Sequence, residues 1–266
     1  GGPFGLVPRS LFKSYYEPDE NNLVPMSLNC VYIQTPTQKI LVDTGLGSRL
    51  DERSRANWGI TYPYGTLLDG LGRVGVSASD IDLVINTHLH ADHCGGNTMF
   101  AEDGTTIIPT FPNAEYVVQA RELIDATHPN ERTRSTYIPA NWDVLRKTGQ
   151  LRLLYGDTQL ADGILGIIAP GHTRGLMAIR MESMGQHAAF VCDMASFAVH
   201  FEKLAWMTSY DIEPMVTLET KRIWQSWAFE HDAVLIFPHE TKRPIGKLTR
   251  NAKNQPEIVP LDEKWV

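Results

Sequence analysis

The segment Thr87-His88-Leu89-His90-Ala91-Asp92-His93 places three of the chain's nine histidines and a carboxylate within six residues. Imidazole nitrogen and carboxylate oxygen are donors that zinc and related divalent ions accept, and a catalytic site keeps one coordination position for water. On an extended stretch, side chains at i and i+2 share a face. His88 and His90 can therefore face one ion. Asp92 continues the alternation, and His93 turns the other way as the chain enters a helix. That split suits two adjacent ions better than one, and two-ion centres hold their metals about 3.5–4 Å apart around a shared nucleophile. Four donors do not fill two coordination spheres. His172, Asp193 and His239 are the natural supplements. The alternative meaning of the cluster is a histidine-rich solvated turn, which the distant donors argue against.

The elements that must position these groups can be read from the apolar runs. Residues 30–35 and 39–43 form a hairpin that ends in Asp43, and residues 46–65 form a long loop. Thr66 to Gly75 has helical spacing. Residues 81–86 form a buried strand that runs directly into the histidine cluster. Ala114–Val118 reads as a strand and Gln119–Thr127 as a helix. Strands follow at 151–155, 164–169, 176–181 and 188–193. Thr217–His231 reads as a helix with Leu218, Ile223, Trp224 and Trp227 on its buried face. A last strand, 233–239, ends in His239. Four apolar strands thus end in a candidate ligand, delivering Asp43, the cluster, Asp193 and His239, and a fifth leads into Pro170-Gly171-His172. Strand ends on a rigid sheet are common places for a site.

The totals narrow the function classes. The 266 residues form one domain with an N-terminal arm of about residues 1–27, long enough to fold without disulfides or structural metal. Formal charge is 24 − 31 = −7, which opposes a general nucleic-acid or anionic-membrane partner. The basic run Lys242–Arg250 reads as a solvated C-terminal loop. Three irregularly spaced cysteines point to a reducing compartment rather than a disulfide framework. No signal peptide and no apolar run of about 20 residues is visible, so a cytoplasmic location is expected. His128, His187 and His231 lie in polar contexts and read as surface residues. Cys94 and Cys192 read as small buried fillers.

His-Leu-His-Ala-Asp-His, followed by Pro-Gly-His-Thr, a strand-terminal Asp and a strand-terminal His, resembles the metallo-β-lactamase fold superfamily. Leu41-Val42-Asp43-Thr44-Gly45 and Gly95-Gly96 fit the same pattern, and the likeness covers roughly residues 28 to 240. The stretches Gly2-Pro3-Phe4-Gly5-Leu6-Val7-Pro8 and Asn29-Cys30 resemble the branch holding quorum-quenching acyl-homoserine lactonases and methyl-parathion-hydrolase-like enzymes. The resemblance implies an α/β (αββα) sandwich of two mixed sheets flanked by helices. It implies two divalent ions, zinc first with iron, cobalt or manganese as alternatives. His88, His90 and His172 would hold one ion, Asp92, His93 and His239 the other, and Asp193 would bridge them beside a hydroxide. The expected reaction is attack of that hydroxide on a lactone or ester carbonyl, with Asp92 guiding a proton to the leaving group. Asp43 would orient a ligand histidine or merely cap a turn.

True zinc β-lactamases of the commonest type carry Cys at the place of Asp193. Here the nearby thiol is Cys192, expected on the opposite face of its strand, so β-lactam hydrolysis is disfavoured. Many acyl-homoserine lactonases carry a tyrosine three residues after the bridging Asp. Ser196 stands there, and His200 is the candidate catalytic replacement. Phe4, Trp58, Tyr62, Ser196 and Phe197 are candidate pocket walls. The aromatic arm alternatively forms a homodimer contact. Competing activities are phosphotriester (organophosphate) hydrolysis as the main reaction and an iron-dependent persulfide dioxygenase-like redox enzyme. A nuclease of the same fold is opposed by the charge.

Overall fold

The computed structural model describes residues 2–5 and 7–261. The chain divides into two compact units, one comprising Cys30–Tyr155 and the other the segment through Asn29 together with the chain from Gly156.

The Cys30–Tyr155 unit is built on a five-stranded sheet in the order Val31–Gln34, Lys39–Val42, Leu83–Ile85, Glu115–Gln119, Leu151–Leu154. The first pair is antiparallel and the other three pairings are parallel. Parallel strands covered on both faces read as continuous apolar runs. Accordingly Ile40, Leu41, Val42, Leu83, Val84 and Ile85 are all buried. Leu41, Val84 and Tyr116 pack with Leu71, Phe111 and Leu145 in one cluster, while Leu89, Cys94, Val118, Tyr137 and Trp142 form a second.

One local feature of this unit differs from the sequence reading. Residues 46–65 are not a continuous loop, because Glu52–Trp58 is a helix. Asp51 caps it by accepting from Ser54 N at 2.7 Å, and Gly59 ends it in the left-handed region at φ 62°. The expected helix at 66–75 spans Leu67–Arg73, held by a capping box between Thr66 and Asp69.

The other unit carries a seven-stranded sheet. Its order is Pro256–Pro260, Ile245–Arg250, Val234–Ile236, Gln186–Phe190, Met177–Ser183, Ile164–Ile168, Thr158–Ala161. Only the pairing of Gln186–Phe190 with Val234–Ile236 is parallel. The basic run 242–250 is therefore largely a strand and not a loop. Its Lys242 donates to Tyr15 O and its Arg243 to Glu202. The N-terminal arm joins this unit through rings: Phe4, Phe12, Tyr16 and Phe197 form one buried cluster with Val199.

Helix Pro214–Glu230 begins with Pro at its first position, where the missing N–H costs nothing. Its buried face is more polar than its sequence suggests. Trp224 and Trp227 point inward as expected, but Ile223 is exposed and Lys221 is fully buried. The Lys221 ammonium donates to the carbonyls of His200 at 3.1 Å and Trp206 at 2.6 Å. Burial lowers its pKa from 10.5 to about 8. Above about pH 8 the folded chain releases this proton before the unfolded chain does. The unfolded state then binds more protons, so the Lys221 contribution to stability rises with pH up to the unfolded value. Urea midpoints of the wild type and Lys221→Met should therefore diverge in favour of the wild type as pH climbs through that window. A pH-independent difference would contradict the assignment.

No helix among the described residues is long and apolar enough to cross a membrane.

Candidate metal centre

In the Cys30–Tyr155 unit, strand Leu83–Ile85 stops two residues before His88. The expected alternation through Asp92 is cut short, because Ala91–Cys94 is already one turn of helix with His90 as its N-cap. Asp92 and His93 leave that turn in different directions by helical geometry rather than by strand alternation. The segment is held tightly. Leu89 N donates to buried Glu122 at 3.1 Å, Ala91 N donates to Thr136 O at 3.0 Å, and His90 bridges Tyr137. Tyr137 Oη donates to the same Glu122 oxygen at 3.0 Å. His88, His90 and His93 are buried, with ring centroids 4.6 Å apart for His88 and His90 and 4.1 Å for His88 and His93.

Asp43 lies behind His93. It is 1 % exposed and sits in the left-handed region at φ 57°, a conformation that short polar side chains tolerate. Its Oδ2 lies 2.8 Å from His93 Nδ1, and its Oδ1 accepts from Thr87 N at 2.9 Å. With Nδ1 donating to the carboxylate, the lone pair of His93 is left on Nε2. Asp92 is more open, its side chain 29 % exposed, with Oδ2 3.8 Å from His93 Nε2.

Gly95 and Gly96 follow because the backbone of residues 44–46 passes against them. A Cβ at Gly95 would lie 2.4 Å from Leu46 O, and one at Gly96 2.3 Å from Thr44 O. Beside them is a cavity of about 150 Å³ lined by Leu46, Arg49, Leu50, Ala91, Ile138 and Asn141 among others. Trp58 and Tyr62, expected as pocket walls, are exposed and not among its lining. Cys94 is fully buried, and burial pushes its thiol pKa up, which keeps it inert.

The other unit carries the second donor set. Asp193 Oδ2 lies 3.2 Å from His172 Nε2, and its Oδ1 lies 3.1 Å from His239 Nε2. Each imidazole is fixed from behind: His172 Nδ1 by Asp211 Oδ1 at 2.8 Å, His239 Nδ1 by Ser27 O at 2.8 Å. Each Nδ1 donates outward, so both Nε2 atoms carry the lone pair that a metal needs. Ser196 donates to Asp193 Oδ1 at 3.1 Å.

Asp193 does not lie on a strand. Gln186–Phe190 ends first, and Cys192–Ala195 is a single 3₁₀ turn entered through Cys192 at φ 49°. His200 and Phe197 lie within the arm's aromatic cluster: the His200 ring is 1 % exposed and meets Phe4 and Phe197 edge-on. Burial lowers its pKa well below the ordinary value, so it is neutral. Phe4, expected as a pocket wall, is fully buried in the same cluster.

Gly171 sets the path into His172. Its φ is 136°, and a Cβ there would lie 2.4 Å from Thr217 N. Gly171→Ala should cost about 1–3 kcal/mol of stability, read as a lower urea midpoint. It should also reduce metal retention, because His172 moves with it.

Sequence reasoning named the candidate donors and missed most of the groups that hydrogen-bond to them. Glu122, Tyr137, Asp211 and Ser27 lie 33, 47, 39 and 212 residues from the groups they hold. Nothing in a local spacing pattern marks such partners.

The donor chemistry suits divalent cations: buried imidazoles with fixed tautomers and carboxylates beside them. Residues 23–203 match the metallo-beta-lactamase superfamily, and the chain belongs to it. An N-acyl homoserine lactonase of Bacillus sp is 24% identical over 255 residues, covering 91% of each chain. The N-acyl homoserine lactonase AttM of Rhizobium radiobacter is 25% identical over 224 residues, or 78% of this chain and 80% of its own. A probable metal-dependent hydrolase from Staphylococcus aureus superposes with a TM-score of 0.87 at 27% identity, over 99% of this chain and 92% of that one. AidC, a dizinc quorum-quenching lactonase, superposes with a TM-score of 0.73 at 23% identity, over 89% and 80%. The chain has the metallo-β-lactamase fold and is a metal-dependent hydrolase of that superfamily, with lactonases among its relatives.

Proposed function

We propose that this chain opens the ring of N-acyl homoserine lactones at a dinuclear divalent-metal centre. His88, His90 and His172 would hold one ion and Asp92, His93 and His239 the other, with Asp193 available to both. Zinc suits these donors best, with iron, cobalt and manganese next. The observation that carries the dinuclear reading is Asp193, whose two oxygens meet the Nε2 atoms of two different histidines. A carboxylate so placed, between imidazoles assigned to different ions, has the disposition of a bridge. The lactone substrate is supported by curated relatives that match over nine-tenths of both chains.

Divalent ions bound there supply a water nucleophile near neutral pH and polarise the carbonyl. The remaining work belongs to the protein. Asp43, Asp211 and Ser27 O hold His93, His172 and His239 in the tautomer that presents Nε2. Asp92, the most open of the carboxylates, carries a proton to the leaving alkoxide. Ser196, where many lactonases have tyrosine, donates to Asp193 and leaves the carbonyl without a phenol.

A panel of hexanoyl-homoserine lactone, an aryl ester, a paraoxon-type phosphotriester and a cephalosporin, at matched metal content, tests this. The expected order places the lactone first in kcat/KM. Phosphotriester turnover above lactone turnover would make the alternative activity the main one. One iron per chain with persulfide oxidation would replace the hydrolase reading altogether.

A further inference from the structure

We propose that the chain carries an additional divalent-metal site on its surface, formed by His187 and His231 with the carboxylate of Glu182. The three residues come from different places in the sequence, and the seven-stranded sheet gathers them. Strands Met177–Ser183 and Gln186–Phe190 pair so that Glu182 sits directly opposite His187. His231 ends helix Pro214–Glu230, whose chain continues into Val234–Ile236, the parallel neighbour of Gln186–Phe190. The two imidazoles therefore meet, with centroids 4.6 Å apart at 77°. The His88 and His90 rings have nearly the same relation, 4.6 Å at 73°.

Three further observations suit an ion. First, His231 Nδ1 donates to Trp227 O at 3.0 Å, which leaves the lone pair on Nε2. Second, the His231 ring is stacked on Trp227 at 5.3 Å, and Arg180 lies over the same indole at 4.5 Å, so the imidazole is held before any ion arrives. Third, His187 Nδ1 and Glu182 Oε2 are 3.9 Å apart, too far for a hydrogen bond. Two donors sharing a tetrahedral zinc lie about 3.4 Å apart, given bond lengths near 2.1 Å. Glu182 is 59 % exposed and can close that gap by rotation. The Arg180 charge opposes a cation here, and the Glu182 carboxylate offsets it. Two imidazoles, one carboxylate and water suit zinc, copper or nickel. Asp232, the next acidic neighbour in sequence, is engaged by Lys247. The site shares no residue with the proposed catalytic centre.

The test uses Zn²⁺ alone, titrated calorimetrically into the full chain already loaded with zinc and freed of excess by gel filtration. The wild type should take up one more Zn²⁺ per chain than the double variant His187→Gln/His231→Gln. Each single histidine variant should weaken that uptake by about tenfold or more, and Glu182→Gln by less. His128→Gln, an exposed histidine elsewhere, serves as the control and should bind like the wild type. Lactone hydrolysis should be equal in all six proteins, which separates this site from the catalytic reading. Equal Zn²⁺ uptake by the wild type and the double variant would overturn the proposal, as would the same loss in His128→Gln.

Discussion

Asp193→Ala is expected to abolish hydrolysis and to strip the protein of most of its metal. The carboxylate is 6 % exposed, and its two oxygens lie 3.2 and 3.1 Å from His172 and His239. Removing a side chain that only orients a ligand costs about 10–100-fold in metal affinity or activity. A carboxylate with the proposed role of serving both ions should cost more than the upper end of that range. Asp193→Asn separates charge from shape: it preserves volume but loses the negative charge and one acceptor oxygen, so it should fail nearly as badly. Ser196→Ala removes one hydrogen bond to the same carboxylate, worth about 1 kcal/mol. Its activity should fall less than tenfold. Comparable losses in Asp193→Asn and Ser196→Ala would mean that Asp193 is merely structural. Activity and metal content, measured on the same preparations, decide between these outcomes.

The second large effect belongs to Asp43→Ala. The carboxylate is buried and satisfies His93 Nδ1, Thr87 N and Thr87 Oγ1 together. Without it, buried donors are stranded at about 1–3 kcal/mol each, and His93 is free to present the wrong nitrogen. Metal affinity and kcat/KM should each fall about 10–100-fold, with a lower unfolding midpoint. Asp43→Asn is the more telling variant. Asn tolerates the left-handed backbone found at φ 57°, so stability should largely recover. The amide still offers an acceptor oxygen but no charge, so metal affinity should recover only in part. Full recovery of both would show that Asp43 acts as a hydrogen-bond acceptor alone.

The donors were legible because metal chemistry restricts residue types and strand periodicity restricts where they fall. The cluster at 88–93 and the strand ends before His172, Asp193 and His239 both follow from such local rules. Local rules failed where the backbone departs from regular structure. Asp193 follows a strand that stops at Phe190 and enters through a left-handed Cys192. Asp92 lies in a helical turn where alternation expects an extended chain. The supports were least legible. Glu122 under Leu89 and Asp211 behind His172 are long-range partners whose identity depends on the finished fold. Lys221 is a different failure: hydrophobic patterning places charge outside, yet two carbonyl acceptors keep this ammonium buried. The arm's aromatics suggested pocket walls by composition alone. Phe4 instead packs against Phe12 at 4.5 Å and closes a core cluster.

The proposed function rests on a two-metal hydrolytic centre. It is tested most directly by metal content and hexanoyl-homoserine lactone hydrolysis in the wild type, His93→Ala and His172→Ala, each purified without added metal and gel-filtered to remove weakly held ions. The account predicts about two divalent ions per wild-type chain. It predicts metal loss and loss of ring opening in both variants. Undiminished ring opening at full metal content in either variant would contradict it.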